Sequence, residues 1–341
     1  MLNTVYQLKT PRQFDIVFQN LELDTGHVLI RPTYLSICNA DQRYYQGIRP
    51  EAVLRQKLPM ALIHEGVGRV VYDPTGAFPA GTDVVMIPNL PREEDPFAAE
   101  NYLPTSRFRG SGTDGFLQEY ISSDPDRLLA LPQGLNPAVA AMTEFVSVAC
   151  HAIRRFRQFS HGRRENIGVW GDGNLGYVTA LLLRLMMPEC RVTVFGVNRM
   201  KLAYFTFADA CCLVNEVPEG TEVDHAFECV GGPAASRAIN QMIDLIRPEG
   251  TMSILGVSEE PAPLNTRMIL EKGLRLFGSS RSGRGDFREV IRLYEEHPEL
   301  AEYLENLISA VIPVRGLPDL IGAFDADIHK MMGKTILRWD V

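Results

Sequence analysis

The chain has 341 residues, about twice the usual length of one domain, which excludes a single small module and predicts two domains or one elaborate α/β unit. A composition of 45% hydrophobic and 22% charged residues is globular and excludes a disordered or fibrous chain. The net charge of −8 leaves no global positive field for nucleic acid or anionic lipid, so an anionic ligand has to be held by a local cluster. From Met1 to Asp15 the chain carries charge and proline where a signal peptide needs an apolar core, and the most apolar stretches are broken by Glu144 and Arg184. No membrane insertion and a cytoplasmic location are expected.

Taken in chain order, Gly26 to Pro88 alternates short Val- and Ile-rich runs (His27 to Ile37, Gly66 to Tyr72, Asp83 to Ile87) with Gly, Pro and Asp turns, which predicts a mostly antiparallel β-rich unit. Asn89 to Gly112 is polar and proline-containing and reads as a long surface loop. From Glu165 the pattern becomes strand, glycine turn, long apolar helix and strand again, the alternation that produces a parallel sheet. Strands are predicted at Asn166 to Trp170, Arg191 to Phe195, Cys211 to Asn215, Asp224 to Val230, Thr251 to Gly256 and Leu274 to Gly278, a complete dinucleotide-binding set. A helix from Asp286 to Glu296 and a last strand from Gly333 to Trp339 are too little for a third domain and are expected to return to the first unit. The six cysteines contain no CxxC pair, so no disulfide framework is expected. Cys150, Cys190, Cys211, Cys212 and Cys229 read as packing residues, the Cys211-Cys212 pair in a buried strand.

The strand Asn166 to Trp170 runs into Gly171-Asp172-Gly173-Asn174-Leu175-Gly176 and then a helix, which places GxGxxG in its proper context. Gly171 permits the tight turn, Gly173 lets a pyrophosphate approach the backbone, and Gly176 lets helix and strand pack closely, while helix N–H groups face the phosphates. The acid that would bond a ribose 2′-hydroxyl at the end of the second strand is missing from Val194-Phe195-Gly196-Val197-Asn198-Arg199-Met200-Lys201. Gly196 stands near its place, and Arg199 and Lys201 are at hand to neutralise a 2′-phosphate, so NADP(H) is expected in preference to NAD(H).

Possible metal ligands lie before the nucleotide unit: Cys38, the pair His64-Glu65, and Glu144. One sulfur, one nitrogen and two oxygens suit a catalytic zinc with an open or alternating fourth position, and Asp41 can orient an imidazole N–H. The order Cys-x-x-Asp, His-Glu-Gly-x-Gly, a helix with the last ligand and then GxGxxG resembles the zinc-dependent medium-chain dehydrogenase/reductases over nearly the whole chain. More narrowly, the strings from Ile37 to Tyr45, Leu58 to Gly68, Trp170 to Tyr177, His225 to Gly232 and Gly278 to Gly283 closely resemble the ribulose-5-phosphate reductases, which make ribitol 5-phosphate for teichoic acids and related polymers.

That resemblance implies a GroES-like catalytic domain of residues 1–143 and 282–341, and a Rossmann NADP-binding domain of residues 144–281. It implies NADPH, one catalytic zinc held by Cys38, His64 and Glu144 with Glu65 alternating or in support, D-ribulose 5-phosphate as substrate, a homodimer, and a cytidylyltransferase as possible partner. The cysteine-rich lobe that binds a structural zinc in many members would fall between Asn89 and Gly112, where there is no cysteine, so no structural zinc is expected. The family's usual proton-relay hydroxyl is replaced by Ala40, which leaves Tyr44, Tyr45, Glu65 and zinc-bound water as candidates. For the substrate phosphate, Arg43 ranks first, five residues from Cys38, ahead of Arg49, Lys57, Arg107, Arg109 and Arg281. His151 and His225 read as structural histidines. A dehydrogenase of free polyols, a zinc-free quinone reductase and a non-catalytic NADPH sensor are the competing readings.

Overall fold

The Val- and Ile-rich run after His27 becomes the strand Val28–Ser36 in the computed structural model, which describes all 341 residues. Val28–Ser36 pairs antiparallel with Glu65–Tyr72, which continues to Asp83–Met86. On its other side it pairs antiparallel with the last strand, Lys334–Trp339, itself parallel to Ile308–Val314. The register sets Ser36 opposite both Glu65 and Ile336, so residues from three distant stretches of sequence meet at one point of the sheet. A slip of one residue would turn each of these side chains to the other face.

Beneath this sheet lies a core that includes Val5, Leu8, Ile30, Leu35, Ile37, Leu62, Phe116 and Leu337. Each side chain of the size of Leu35 or Ile37, both fully buried, contributes about 1.5–3 kcal/mol. Val5 and Leu8 belong to an N-terminal hairpin, Leu2–Thr10 with Gln13–Asn20. Its exposed positions mix the apolar Leu2, Ile16 and Phe18 with polar Gln13, Asp15 and Gln19, so burial does not follow the apolar pattern and the sequence does not reveal the hairpin. The stretch expected as a loop, Asn89 to Gly112, is partly ordered and inward-facing. It forms a short antiparallel pair, Asn89–Leu90 with Arg107–Phe108, and buries Asn89, Asn101, Leu103 and Phe108. Glu100 pins it, accepting from Arg127 Nη1 at 3.0 Å and from the Arg284 N–H at 2.7 Å.

A separate, parallel sheet contains, in chain order, Asn166–Trp170, Arg191–Gly196, Ala210–Leu213, Val223–Glu228, Ile246–Ile254 and Arg275–Gly278. In space the third strand is followed by the second, first, fourth, fifth and sixth, all parallel, so the order reverses beside Asn166–Trp170. Helix Asn174–Met186 follows that central strand and buries every residue from Gly176 to Leu183. The expectation of a buried strand at Cys211 and Cys212 is corrected: Ala210–Leu213 is the sheet's edge, Cys211 is exposed and Cys212 half-buried. Edge strands lack a neighbour on one side, which an apolar run alone does not reveal. Cys150, Cys190 and Cys229 are buried.

The chain forms two units, Met1–Ser147 with Ser282–Val341, and Val148–Arg281. No helix is long and apolar enough to cross a membrane.

Candidate active site

Cys38 stands at the N-cap of the helix Asn39–Tyr45, and Asp41 folds back so that its Oδ2 accepts the Cys38 N–H at 3.0 Å. Its other oxygen accepts the N–H of Ile63 at 2.9 Å. Ile63 has φ +68°, a left-handed conformation costly for a β-branched residue, directly before His64. One buried carboxylate thereby fixes the backbone beside two prospective ligands. Asp41 was expected to take an imidazole N–H, but His64 Nδ1 stands 3.9 Å from Asp41 Oδ1, beyond hydrogen-bond length. The orientation acts through the backbone instead.

Cys38 Sγ lies 3.4 Å from His64 Nε2, and with a carboxylate oxygen of Glu65 these ligand atoms fall within 4.8 Å of one another. A tetrahedral zinc with ordinary Zn–S and Zn–N bonds would set sulfur and nitrogen about 3.5 Å apart, so the spacing fits that ion. The electrostatics fit as well. Burial, with Asp41 and Glu65 close by, pushes the Cys38 thiol well above its usual range. Burial likewise pushes Glu144 up to about 7, Glu65 and Asp41 adding to it while His64 and Lys334 oppose it. A bound divalent cation reverses such logic, because a coordinating thiol loses its proton outright. Glu144, in the first turn of helix Thr143–Phe159, lies within electrostatic reach of His64 and Glu65 but outside the 4.8 Å cluster.

Three participants escaped the sequence reading. Lys334 Nζ donates to Glu65 Oε1 at 2.6 Å, and Ser36 Oγ donates to Glu65 Oε2 at 2.7 Å. The Phe108 ring lies 5.2 Å from the His64 ring, centroid to centroid. Lysine at the start of a predicted strand is the one sequence signal among them, and Ser36 and Phe108 carry none. Of the proton-relay candidates, Tyr45 is committed elsewhere: its hydroxyl donates to Asp325 at 2.9 Å, and burial with that bond pushes its pKa up to about 12.

Among the phosphate candidates, Arg109 donates to the Ser122 carbonyl at 2.8 Å and Lys57 to Ser111 Oγ at 2.9 Å, which marks both as structural. Arg107 is exposed. Arg43 is half-buried on the Cys38 helix, and burial together with the nearby Arg49 charge lowers its pKa. Arg49 itself stacks over the Tyr44 ring at 4.6 Å. Arg281 ends the second unit with φ +58°. His151 is buried, while His225 Nε2 meets the Arg163 carbonyl at 2.9 Å and its Nδ1 accepts the Thr251 N–H at 3.1 Å.

In the second unit, a Cβ on Gly176 would sit 1.9 Å from the Gly171 carbonyl oxygen, and one on Gly171 2.9 Å from that of Cys229, so both positions require glycine. A Cβ on Gly173 would meet nothing within 4 Å, which is the open approach a pyrophosphate needs. Asn174 and Leu175 open the helix whose N–H groups face that space. Arg199 pairs with Glu216 at 2.5 Å, and Lys201 sits half-buried two residues on. Glu228, wholly buried, accepts the N–H groups of Val230, Gly231 and Gly256 at 2.7–2.9 Å and joins two turns at the same sheet end.

Comparison with known proteins gives two family matches: the alcohol dehydrogenase GroES-like domain over residues 24–133, and the zinc-binding dehydrogenase domain over residues 189–296. Ribulose-5-phosphate reductase 1 of Staphylococcus aureus is 51% identical over 339 residues, 99% of each chain. The ribulose-5-phosphate reductase of Bacillus spizizenii is 49% identical over 341 residues, the whole of both chains. The crystal structure of S. aureus TarJ in complex with NADPH matches with a TM-score of 0.89 and 47% identity over 99% of each chain.

Proposed function

The chain belongs to the zinc-binding dehydrogenases with a GroES-like domain and, within them, to the ribulose-5-phosphate reductase family, and we propose that it reduces D-ribulose 5-phosphate to D-ribitol 5-phosphate with NADPH. The observation that carries the chemistry is the buried Cys38–His64–Glu65 cluster, with ligand atoms within 4.8 Å of one another. Cys38, His64 and Glu144 would hold one zinc, with Glu65 as an alternating ligand or in support. A zinc held by these residues would supply Lewis-acid polarisation of the C2 carbonyl and of the developing charge on its oxygen, and bound NADPH would supply the hydride.

The chain's own groups do the rest. Asp41 fixes the backbone at Cys38 and Ile63, and Lys334 donates to Glu65 and neutralises its buried carboxylate. The turn from Gly171 to Gly176 receives the pyrophosphate on N–H groups, and Arg199 and Lys201 face the 2′-phosphate. Arg43 holds the sugar phosphate, whose charge needs a fixed cation. The absence of cysteine from residues 89–112 supports a single zinc per chain. A homodimer is supported by the open sheet edge at Arg275–Gly278. The product would feed a cytidylyltransferase and a ribitol-containing cell-wall polymer such as teichoic acid, and the work is placed in the cytoplasm.

The test follows NADPH oxidation with D-ribulose 5-phosphate and with D-ribulose, each with and without a zinc chelator. Chelator-sensitive turnover of the phosphate ester alone is the expected result. Equal turnover of the free ketose would overturn the phosphate requirement, and turnover indifferent to chelation would overturn the zinc.

A further inference from the structure

Asp172 is the second residue of the glycine turn, and its side chain is nearly buried. Its Oδ2 accepts the N–H groups of both Val197 and Asn198 at 2.7 Å, which leaves Oδ1 for a further donor. Those two N–H groups follow directly on Gly196, the position at the end of the second strand where an acid would bond an adenosine ribose. A Cβ built on Gly196 would lie 2.7 Å from Asp172 Cβ and 2.8 Å from its Oδ2. The carboxylate of Asp172 therefore fills the space that the missing acid would have taken. It arrives from the first turn, 24 positions earlier in the chain.

The cations around it are only partly available. The Arg199 guanidinium is bound to Glu216, and Lys201 makes no ion pair. We propose that Asp172 is a cofactor-discriminating residue: its carboxylate accepts the ribose 2′-hydroxyl of an unphosphorylated nicotinamide dinucleotide and opposes a 2′-phosphate. The preference between NADPH and NADH is then the balance of Asp172 against Arg199 and Lys201. A like charge at hydrogen-bond range weakens an anion's binding, and a carboxylate is a good acceptor for a hydroxyl. The inference rests on the nucleotide-binding reading of this unit.

Asp172→Asn is the direct test, because the amide oxygen still accepts from Val197 and Asn198 while the charge is gone. Asp172→Ser serves as a second variant, and a thermal melt checks that each is folded. Dissociation constants for NADPH and for NADH are measured by fluorescence titration, with no sugar present. The expected result is a rise of tenfold or more in the ratio of the NADH to the NADPH constant, and a fall of that ratio in Arg199→Gln. Equal weakening of both cofactors would make Asp172 a support for the turn and overturn the proposal, as would an unchanged ratio. If the unmutated protein binds neither dinucleotide, the nucleotide reading itself fails and takes the proposal with it.

Discussion

Lys334 donates to Glu65 at 2.6 Å with both side chains buried, a contact that ties the last strand to the segment carrying His64 across 269 positions of sequence. The Lys334 ammonium also lies 4.8 Å from the centre of the Phe145 ring. Burial works against its charge, yet Glu65, Cys38 and Glu144 together hold its pKa above the ordinary lysine value. Desolvating such a pair is expensive, but removing one partner is worse, because the other charge is left buried and alone. Lys334→Met is expected to lose about 3–5 kcal/mol in urea unfolding. Adding Glu65→Gln should recover part of that loss, and a double variant as unstable as the sum of the singles would show that the two residues are not coupled.

The glycines of the nucleotide turn separate folding from binding. At Gly176 a methyl group would run into the Gly171 carbonyl oxygen at 1.9 Å, a backbone atom that cannot step aside. Gly176→Ala should therefore lower the melting temperature, by about 1–3 kcal/mol of strain, as well as abolish NADPH binding. A methyl at Gly173 meets no protein atom within 4 Å and fills only the space left for the pyrophosphate. Gly173→Ala is expected to melt like the parent and bind NADPH at least tenfold more weakly. Equal melting losses in the two variants would contradict this division of roles.

Much of the fold could be read from the order of residues because its signals are local. The turn from Gly171 to Gly176 sits between an apolar strand and an apolar helix, and Val28–Ser36 and Asp83–Met86 are short apolar runs set off by Gly, Pro and Asp turns. What stayed hidden depends on partners far away in sequence. The edge position of Ala210–Leu213 follows from sheet order, so an apolar pair at Cys211 and Cys212 looked buried. Lysine is usually a surface residue, and only the return of Lys334–Trp339 beside Val28–Ser36 turns Lys334 inward. At the site, residue types identified Cys38, His64 and Glu65, but Asp41's bonds to two backbone N–H groups depend on the strained bend at Ile63, which leaves no pattern in the sequence.

His225 should make stability depend on pH. It is wholly buried, and desolvation, with the His161 ring 4.4 Å away, brings its pKa down to about 4. In the unfolded chain the same group titrates near 6.5, so on acidification the unfolded state takes up the proton first. The contribution is therefore intact above pH 6.5 and is lost as the pH falls toward 4. A shift of this size corresponds to about 3 kcal/mol. Urea unfolding at pH 7.5 and 4.5 checks it: the parent should lose about 2–3 kcal/mol more between the two than His225→Gln does. Parallel losses in both proteins would assign the acid sensitivity to other groups.

Arg109, next to Phe108, and Arg43, on the Cys38 helix, should behave in opposite ways. Arg109 is spent on the Ser122 carbonyl, so Arg109→Met should cost about 1 kcal/mol of stability and leave the KM for ribulose 5-phosphate as it was. Arg43 sits half-buried one turn along from Cys38, on the same short helix, with a second cation in Arg49 near enough to depress its pKa. Burial first, and the neighbouring Arg49 charge second, weaken the charged form of Arg43, and an anion brought beside it would offset both. Arg43→Met should then raise the KM for ribulose 5-phosphate by roughly 10- to 100-fold, the worth of a charge-assisted hydrogen bond, with the melting temperature unchanged or slightly higher. Inorganic phosphate should inhibit the parent competitively and the variant far less. A KM that moves in Arg109→Met and not in Arg43→Met would transfer the phosphate site to the segment after Asn89.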